Sequence, residues 1–294
     1  MVDTVYVVDD YDPVAFASFA DAVDKAISDR RQTRVAFDCE GVNLSRNGSL
    51  EIVSIYFEDD SCGDDVVYLV DLGIKESDTL LREERICLVK RLLECESVLK
   101  VIHDCRMDCD ALYYHCNGTR VHNVHDTSSF QSVLSGCENV NLNDTLEFHG
   151  LSPNQSRNKD VYKSNPAFWA QRPMTNQMIE WASKDVDKLL VLASRQASML
   201  LDHRVTGGHH HYYLELARTK SRDNSTAVAS MRLDTTLQCH VNVGHFIGKG
   251  GCNIKDLQKR AGALIYHRAN DNRWLVFYRN ERSLSMVRNA MMGC

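Results

Sequence analysis

Four acidic side chains occupy positions where a carboxylate could bind a metal ion. Asp38 and Glu40 follow the apolar residues 35–37, and the alternation of a strand sends both side chains to one face. Asp108 lies one turn into a segment of helical pattern, and Asp185 lies on a later amphipathic helix. Carboxylate oxygens are the ligands that Mg²⁺ and Mn²⁺ prefer, and two such ions can hydrolyse a phosphodiester. The alternative is that these residues are solvated surface acids and a helix N-cap.

Strand-like and helix-like patterns alternate over the first 200 residues and must position these acids. Short apolar and β-branched runs predict strands at residues 5–8, 34–37, 50–57, 66–72 and 98–103. Helical spacing predicts helices between the first two strands, at 80–93, at 104–115 and from 175 to about 201. The pattern therefore predicts a mixed sheet followed by helices, which is an α/β architecture.

Residues 150–175 change in composition to Pro, Asn, Ser, Lys and Arg around the pair Phe168-Trp169. This composition predicts a surface loop beside a site or an interface, and an irregular connection is the alternative. Phe168 and Trp169 fit either a dimer contact or a wall of a substrate site.

The net charge of −6 is unevenly distributed along a chain of ordinary globular composition. Residues 230–294 carry ten basic and four acidic side chains, a net charge of +6, which leaves −12 for residues 1–229. The total argues against a general nucleic-acid binder, but the division predicts two parts, one of which binds a polyanion. Residues 203–229 are rich in Gly, His, Ser, Thr and Arg, and we interpret them as a linker between domains at 1–202 and 230–294.

Eleven cysteines are scattered along the chain with no CxxC pair and no cluster at zinc spacing. We interpret them as reduced thiols of an intracellular protein. The N-terminus has no signal-peptide pattern, and nowhere do 18 apolar residues run together. We therefore expect a cytoplasmic or nuclear protein with no membrane association.

An ordered set of motifs surrounds the four acids. Phe-Asp-Cys-Glu at 37–40 is followed by a strand ending at His103, by Asp108, and by a helix with an aromatic residue four positions before Asp185. This order resembles the 3′–5′ exonuclease superfamily typified by ribonuclease D and the Werner-type exonucleases, in its tyrosine branch, over about residues 3–202. Within this superfamily, the sequence is most similar to the Egalitarian and exonuclease 3′–5′ domain-containing proteins. The similarity lies in four short motifs: Val-Ile-His-Asp-Cys-Arg at 101–106, Asp126-Thr127, Phe168-Trp169 and Arg172-Pro173.

The resemblance implies a ribonuclease H-like mixed sheet flanked by helices and a two-metal site of Mg²⁺ or Mn²⁺. Carried over by motif, the catalytic and metal-binding acids are Asp38, Glu40, Asp108 and Asp185. Asp110 and Asp187 each lie two residues past a proposed ligand, and we predict that both are surface charges.

The sequence departs from the family at the catalytic residue four positions before Asp185, where Trp181 replaces a tyrosine that orients the attacking water. An indole N–H donates a hydrogen bond but accepts none, so water would be held less well. Glu180 could take the proton instead; the simpler interpretation is that Glu180 is a surface charge and Trp181 packs. The four retained acids favour activity, whereas some members of the similar branch lack acids and resemble inactive scaffolds.

The basic segment contains Ile-Gly-Lys-Gly-Gly at residues 247–251, opening a helical pattern. The spacing does not match a phosphate-binding Walker loop. It resembles a KH domain over about residues 233–294, a small α+β fold with βααββα order whose groove accepts about four unstacked nucleotides. The alternative is a glycine-rich turn in an unrelated module. We expect a hairpin of 264–266 and 274–278 across 269–272, and a closing helix at 282–291. The implied RNA-binding residues are Ile247, Gly248, Lys249, Gly250, Gly251 and Ile254.

Three functions follow from these patterns. The first is a metal-dependent 3′–5′ exonuclease that acts on single-stranded RNA and releases nucleoside monophosphates. The second is a catalytically weak or inactive RNA-binding adaptor, and the third is an exonuclease of single-stranded DNA, which fits the same groove. A homodimer and ribonucleoprotein partners remain open.

Overall fold

The computed structural model of the 294-residue chain forms two compact units, Met1–Thr226 and Ala227–Cys294. The structure describes residues 4–29, 33–58, 65–73, 79–138, 140–154, 157–158, 160–228, 230–237, 243–268 and 273–292. No helix in this described part of the chain combines the length and the apolar character that a membrane span requires.

The first unit is built on a six-stranded mixed sheet. Its strands are β1 Thr4–Val8, β2 Arg34–Glu40, β3 Ile52–Phe57, β4 Val66–Asp71, β5 Leu99–Ile102 and β6 Val124–Asp126. The strand order is β1-β4-β3-β2-β5-β6, in which β3 is antiparallel to both its neighbours and the other pairs are parallel. The structure adds β6, which the sequence pattern did not predict because it is only three residues long.

Helices cover both faces of this sheet. They are α1 Pro13–Ser28, α2 Thr79–Glu94, α3 Arg106–His115, α4 Thr127–Ser135, α5 Leu142–Phe148, α6 Asp160–Ser164, α7 Asn176–Lys184, α8 Leu189–Leu201, α9 His203–Thr206 and α10 His210–Ala227. Residues of α1, α2 and α3 pack in one apolar cluster, and residues of α7 and α8 pack in a second cluster. The two clusters confirm the predicted mixed sheet flanked by helices.

The predicted helix from 175 to about 201 is wrong in one respect, because the structure divides it. α7 ends at Lys184, residues 185–188 form a turn, and α8 begins at Leu189. The backbone N–H of Asp185 still donates to the Trp181 carbonyl, so Asp185 caps α7 at its C-terminus. The break lets the Asp185 side chain extend from the end of a helix.

The interpretation of residues 203–229 as a linker is also wrong. Residues 203–206 and 210–227 are helical. In α10, Ala217 is fully buried in a cluster with Phe130 and Leu200, and the Ser221 hydroxyl accepts a hydrogen bond of 3.1 Å from the backbone N–H of Asp126. The polar composition of this stretch hid a narrow apolar face that packs on the first unit.

The second unit has the expected βααββα order. Its elements are β7 Arg232–Asp234, α11 Val243–Ile247, a 3₁₀ turn Lys249–Gly251, α12 Cys252–Ala261, β8 Leu264–Arg268, β9 Arg273–Tyr278 and α13 Glu281–Met292. The three strands form an antiparallel sheet of order β7-β9-β8. The hairpin and the closing helix are therefore present, while the predicted turn at 269–272 lies outside the described residues.

Candidate active site

The first two acids are carried by β2, in the centre of the large sheet. Alternation along the strand places Val35, Phe37 and Cys39 in one apolar cluster and Ala36 in the other. Asp38 and Glu40 share the face of Ala36. The antiparallel register pairs Asp38 with Ser54 of β3, so the acids are held by a regular ladder.

Three carboxylates meet at this end of β2. Asp38, Glu40 and Asp185 each offer an oxygen, and these oxygens all lie within 4.8 Å of one another. Asp185 is 8% exposed, and its Oδ1 accepts a hydrogen bond of 2.9 Å from the Asn154 side-chain amide. The break between α7 and α8 is thus what brings a residue far along the chain to the end of β2.

Asp108 enters from the first turn of α3. Its Oδ1 accepts a 3.0 Å hydrogen bond from the backbone N–H of Cys39, between the two β2 acids. It is buried and lines the same pocket, but it is not a member of the three-carboxylate group among the described residues. The structure therefore brings all four predicted acids to one pocket and three of them into contact range of a single ion.

The pocket has a volume of about 420 Å³. Opposite the acids it is lined by residues that precede and begin α5, among them Asn141 and Leu142. His103 holds this wall, because its ring nitrogens lie 2.8 Å from the Thr127 hydroxyl and 3.0 Å from the Val140 carbonyl. A pocket of this size with convergent carboxylates is suited to a small polar ligand and a cation.

Burial is the main influence on the pKa values of the acids. Burial, together with the Glu40 carboxylate, raises the pKa of Asp38 to about 7. Burial also raises the pKa of Glu40, against the opposing effect of the Arg157 guanidinium. For Asp108, burial and the nearby Asp38 carboxylate hold the pKa well above its usual range. Negative charge concentrated in this way favours a bound cation.

The donor set fits a divalent metal ion. Glu40 Oε1 and Asp185 Oδ2 are buried, and both contact a cationic nitrogen, Nη1 of Arg157. Buried carboxylate oxygens are costly unless they meet a cation, so this position favours positive charge. Hard oxygen ligands at this spacing match Mg²⁺ or Mn²⁺.

The glycine loop of the second unit has a different geometry. Gly248, Gly250 and Gly251 have φ values of 75°, 63° and 75°, which L side chains rarely adopt. A Cβ at Gly248 would lie 2.7 Å from Cγ of Asn253. Lys249 is exposed between these glycines. The remaining predicted residues, Ile247 and Ile254, are partly buried and pack against the apolar core of the unit.

Residues 16–200 match the family model described as 3′-5′ exonuclease. The chain belongs to the 3′–5′ exonuclease family. Residues 235–286 match the model of the KH domain, which covers the glycine loop and identifies the second unit. Both family predictions made from the sequence are confirmed.

Solved structures share the exonuclease fold at low sequence identity. The catalytic core of RRP6 from Trypanosoma brucei is 20% identical, with a TM-score of 0.53 over 75% of this chain and 51% of that chain. RNase D of Trypanosoma brucei is 19% identical, with a TM-score of 0.54 over 75% and 71% of the two chains. A protein from Bifidobacterium adolescentis is 16% identical, with a TM-score of 0.54 over 87% and 52%. This chain thus spans about half of the RRP6 core. No curated protein sequence matches it.

Trp181, at the position where the resemblance implies a tyrosine, is part of the core. Trp181 is 1% exposed, and its ring lies 5.4 Å from that of Phe168. It is not among the described residues that line the carboxylate pocket. Glu180 forms an ion pair with Lys184 on the exposed face of α7, as expected of a surface charge.

The aromatic pair of the loop before α7 lies in the core. Phe168 and Trp169 are 5% and 4% exposed and belong to the apolar cluster under α7 and α8, so neither forms an exposed contact surface. The Trp169 ring instead supports Arg157, whose guanidinium carbon lies 5.5 Å from the ring centroid. These large aromatic side chains cover one face of the sheet, and their burial there removes apolar surface from water.

The prediction that Asp110 and Asp187 are surface charges is wrong. Asp110 is fully buried and forms a 2.6 Å ion pair with Arg46, which fixes the loop after β2 on α3. Asp187 lies in the turn after α7, its side chain is 15% exposed, and burial raises its pKa. Helix periodicity alone does not reveal a partner on another element.

Arg157 and Asn154 are the site residues that sequence reasoning missed. Arg157 Nη1 lies 2.7 Å from Glu40 Oε1, and Nη2 donates a 3.0 Å hydrogen bond to Glu40 Oε2. Nη1 is also in contact with Asp185 Oδ2. The available signal was the run of Asn, Arg and Lys in the loop predicted beside a site.

Proposed function

We propose that this exonuclease-family chain is a divalent-metal-dependent 3′–5′ exonuclease acting on single-stranded RNA. The observation that carries the proposal is the group of three carboxylates in the pocket, whose oxygens all lie within 4.8 Å of one another. Mg²⁺ or Mn²⁺ bound there would activate water and stabilise the leaving oxygen of the terminal phosphodiester.

The protein residues divide the work of binding and orientation. Glu40, Asp38 and Asp185 would hold the cation, and Asn154 fixes the rotation of the Asp185 carboxylate by occupying its Oδ1. Asp108 is oriented by the Cys39 N–H and can serve a second ion. Hydrolysis then releases nucleoside monophosphates from the 3′ end.

The KH unit is proposed to supply affinity for the RNA. The positive φ values of the glycines allow a phosphodiester backbone to approach closely, with the exposed Lys249 at the phosphates. This unit carries most of the excess positive charge, whereas the exonuclease unit is acidic. Binding that depends on counterion release therefore depends on the KH unit.

A single-turnover cleavage assay tests the proposal. A 5′-labelled single-stranded RNA is incubated with the full chain in Mn²⁺ or in EDTA. We expect a ladder shortened from the 3′ end in Mn²⁺, none in EDTA, and none for Asp38→Ala in either condition. A matched single-stranded DNA shows whether RNA is preferred. Intact RNA in Mn²⁺ would overturn the enzymatic proposal.

A second candidate, a non-catalytic RNA-binding adaptor, is favoured by two observations. Trp181 is buried in the core and does not line the pocket, whereas the tyrosine implied by the resemblance would have to reach the attacking water there. Arg157 already neutralises two of the acids. The adaptor predicts tight RNA binding with no shortening in the assay above.

A further inference from the structure

The carboxylate group already holds a cation that belongs to the chain. The Arg157 guanidinium bridges two acids, Glu40 from β2 and Asp185 from the turn after α7. Its side chain is 21% exposed, while those of the two acids are 6% and 9% exposed, so the ion pairs are largely shielded from water. Charge pairs in such surroundings are screened little by salt.

Arg157 contacts the same oxygens that a metal ion would need. Glu40 Oε1 and Asp185 Oδ2 are buried, and each is an ion-pair partner of Arg157 Nη1. The other oxygen of Asp185 is held by Asn154. One cation can bridge these two oxygens at a time, because a guanidinium nitrogen and a metal ion require the same space between them.

We infer that Arg157 is a built-in counter-cation of the carboxylate site, which a divalent metal ion must displace in order to bind. The inference rests on the proposed function and specifies how the metal is admitted. An arginine suits this role because its planar guanidinium is weakly hydrated and always charged, so it neutralises carboxylates in a partly dry pocket. Removal of one member of such a pair leaves the others buried and unpaired.

Arg157 therefore has opposite effects on two quantities, the stability of the metal-free protein and its affinity for metal. Without metal, Arg157 stabilises the fold by offsetting repulsion among the acids. With metal, the same ion pairs oppose binding, because they must be broken first. Removal of Arg157 should therefore weaken the metal-free protein and strengthen its affinity for metal.

Isothermal titration of Mn²⁺ into the full chain, without RNA, tests this inference. The variants are Arg157→Gln, Arg157→Lys and the control Arg91→Gln, which removes an exposed ion pair with Asp24 on the opposite side of the sheet from α7. We expect Arg157→Gln to bind Mn²⁺ about tenfold more tightly than wild type, the size of one charge-assisted hydrogen bond. Arg157→Lys, which keeps the charge without the fork, should lie between them, and Arg91→Gln should match wild type.

Thermal unfolding gives a second readout. In EDTA the unfolding midpoint of Arg157→Gln should fall below that of wild type, and Mn²⁺ should raise it by more than it raises the wild-type midpoint. Arg157→Lys provides the comparison if Arg157→Gln does not fold.

The outcomes separate this inference from the proposed function. Equal or weaker Mn²⁺ binding by both Arg157 variants, with cleavage of RNA by the wild type, overturns the counter-cation and leaves the exonuclease. Absence of Mn²⁺ binding in every variant overturns both. Binding by Arg157→Gln alone supports the counter-cation and shows that the wild-type site is closed to metal.

Discussion

The carboxylate pocket of the exonuclease unit and the glycine loop of the KH unit differ in charge, in burial and in the number of chain segments that form them. The pocket assembles buried acids from β2, α3 and the turn after α7. The loop is one short run of exposed backbone with an exposed lysine. A buried negative site requires a cation before it can approach RNA, whereas an exposed positive loop can bind RNA directly. The comparison predicts that chemistry and affinity can be separated by mutation.

The largest effect is expected for Asp185→Asn in the pocket. This change removes a charged metal ligand and keeps the shape of the side chain, so cleavage of RNA should fall by about a thousandfold, because metal ions supply several kcal/mol of charge stabilisation. RNA affinity, measured by filter binding in EDTA, should change by less than about twofold, because affinity is assigned to the KH unit.

Asp187→Asn is the matched control, since Asp187 lies two residues away and outside the three-carboxylate group. It should keep cleavage within a few-fold of wild type. Similar reductions in both variants would mean that the turn after α7, and not the ligand, controls activity.

The second prediction concerns the position at which the chain can be truncated to remove the KH unit without destabilising the exonuclease unit. A chain ending at Thr226 keeps α10, whose Ala217 packs against Phe130 and Leu200. A chain ending at residue 202 exposes that cluster and leaves the Asp126 N–H without Ser221. We expect the unfolding free energy of the shorter chain to be lower by roughly 2–4 kcal/mol than that of the longer one.

Urea unfolding of the two truncated chains measures this difference. Residues 1–226 should also cleave RNA at high concentration with weakened affinity. Equal stability of the two chains would return residues 203–226 to the role of a linker.

Features that depend on neighbouring residues could be predicted from the sequence, and features that depend on distant segments could not. The glycine loop was recognised from five consecutive residues, and the helix that the pattern predicts after it is present as α12. The shared face of Asp38 and Glu40 could also be predicted from the sequence, since side chains alternate along a strand. Periodicity predicted the first five strands of the large sheet, while the RNase H-like fold and the KH domain were implied by the family resemblance.

The features that escaped prediction depend on interactions between distant segments. Arg157 reaches Glu40 across 117 positions, and no pattern in its own loop indicates that pair. Asp110 resembles a surface charge in the sequence, because periodicity does not show that Arg46 lies opposite it. The burial of Trp181, by contrast, agrees with the simpler interpretation made from the sequence, that its indole packs in the core.

The third prediction uses the electrostatics that distinguish the pocket from the loop. The pKa of Asp38 is about 7, raised by burial and by Glu40, and opposed by Arg157. A folded-state pKa above the unfolded value means that the native protein keeps a proton which the unfolded chain has released. This group's contribution to stability therefore falls as pH rises from about 4 to about 7.

Asp38→Asn, which cannot ionise, isolates this effect. In EDTA its unfolding midpoint relative to wild type should rise between about pH 4 and about pH 7 and then level. In wild type, Mn²⁺ affinity should increase over the same range by up to about tenfold per pH unit below the Asp38 pKa and then level, because the ion displaces one proton. A midpoint difference that is constant with pH would show that Asp38 stays ionised in the fold.

The smallest effect is expected in the glycine loop. Lys249 is exposed, so Lys249→Asp should leave the fold intact and weaken RNA binding by roughly tenfold, with a salt slope lower by about 0.7 for each phosphate that the lysine neutralises in the wild type. Lys259→Asp makes the same charge change on the exposed surface of α12 and should have a smaller effect on both quantities. Cleavage at saturating RNA should be unchanged in both variants, because neither residue lies in the unit that holds the acids. Affinity is measured by fluorescence anisotropy at several salt concentrations. If the two substitutions weaken binding equally, the KH unit contributes only its net charge, and the positive-φ glycines do not position the RNA.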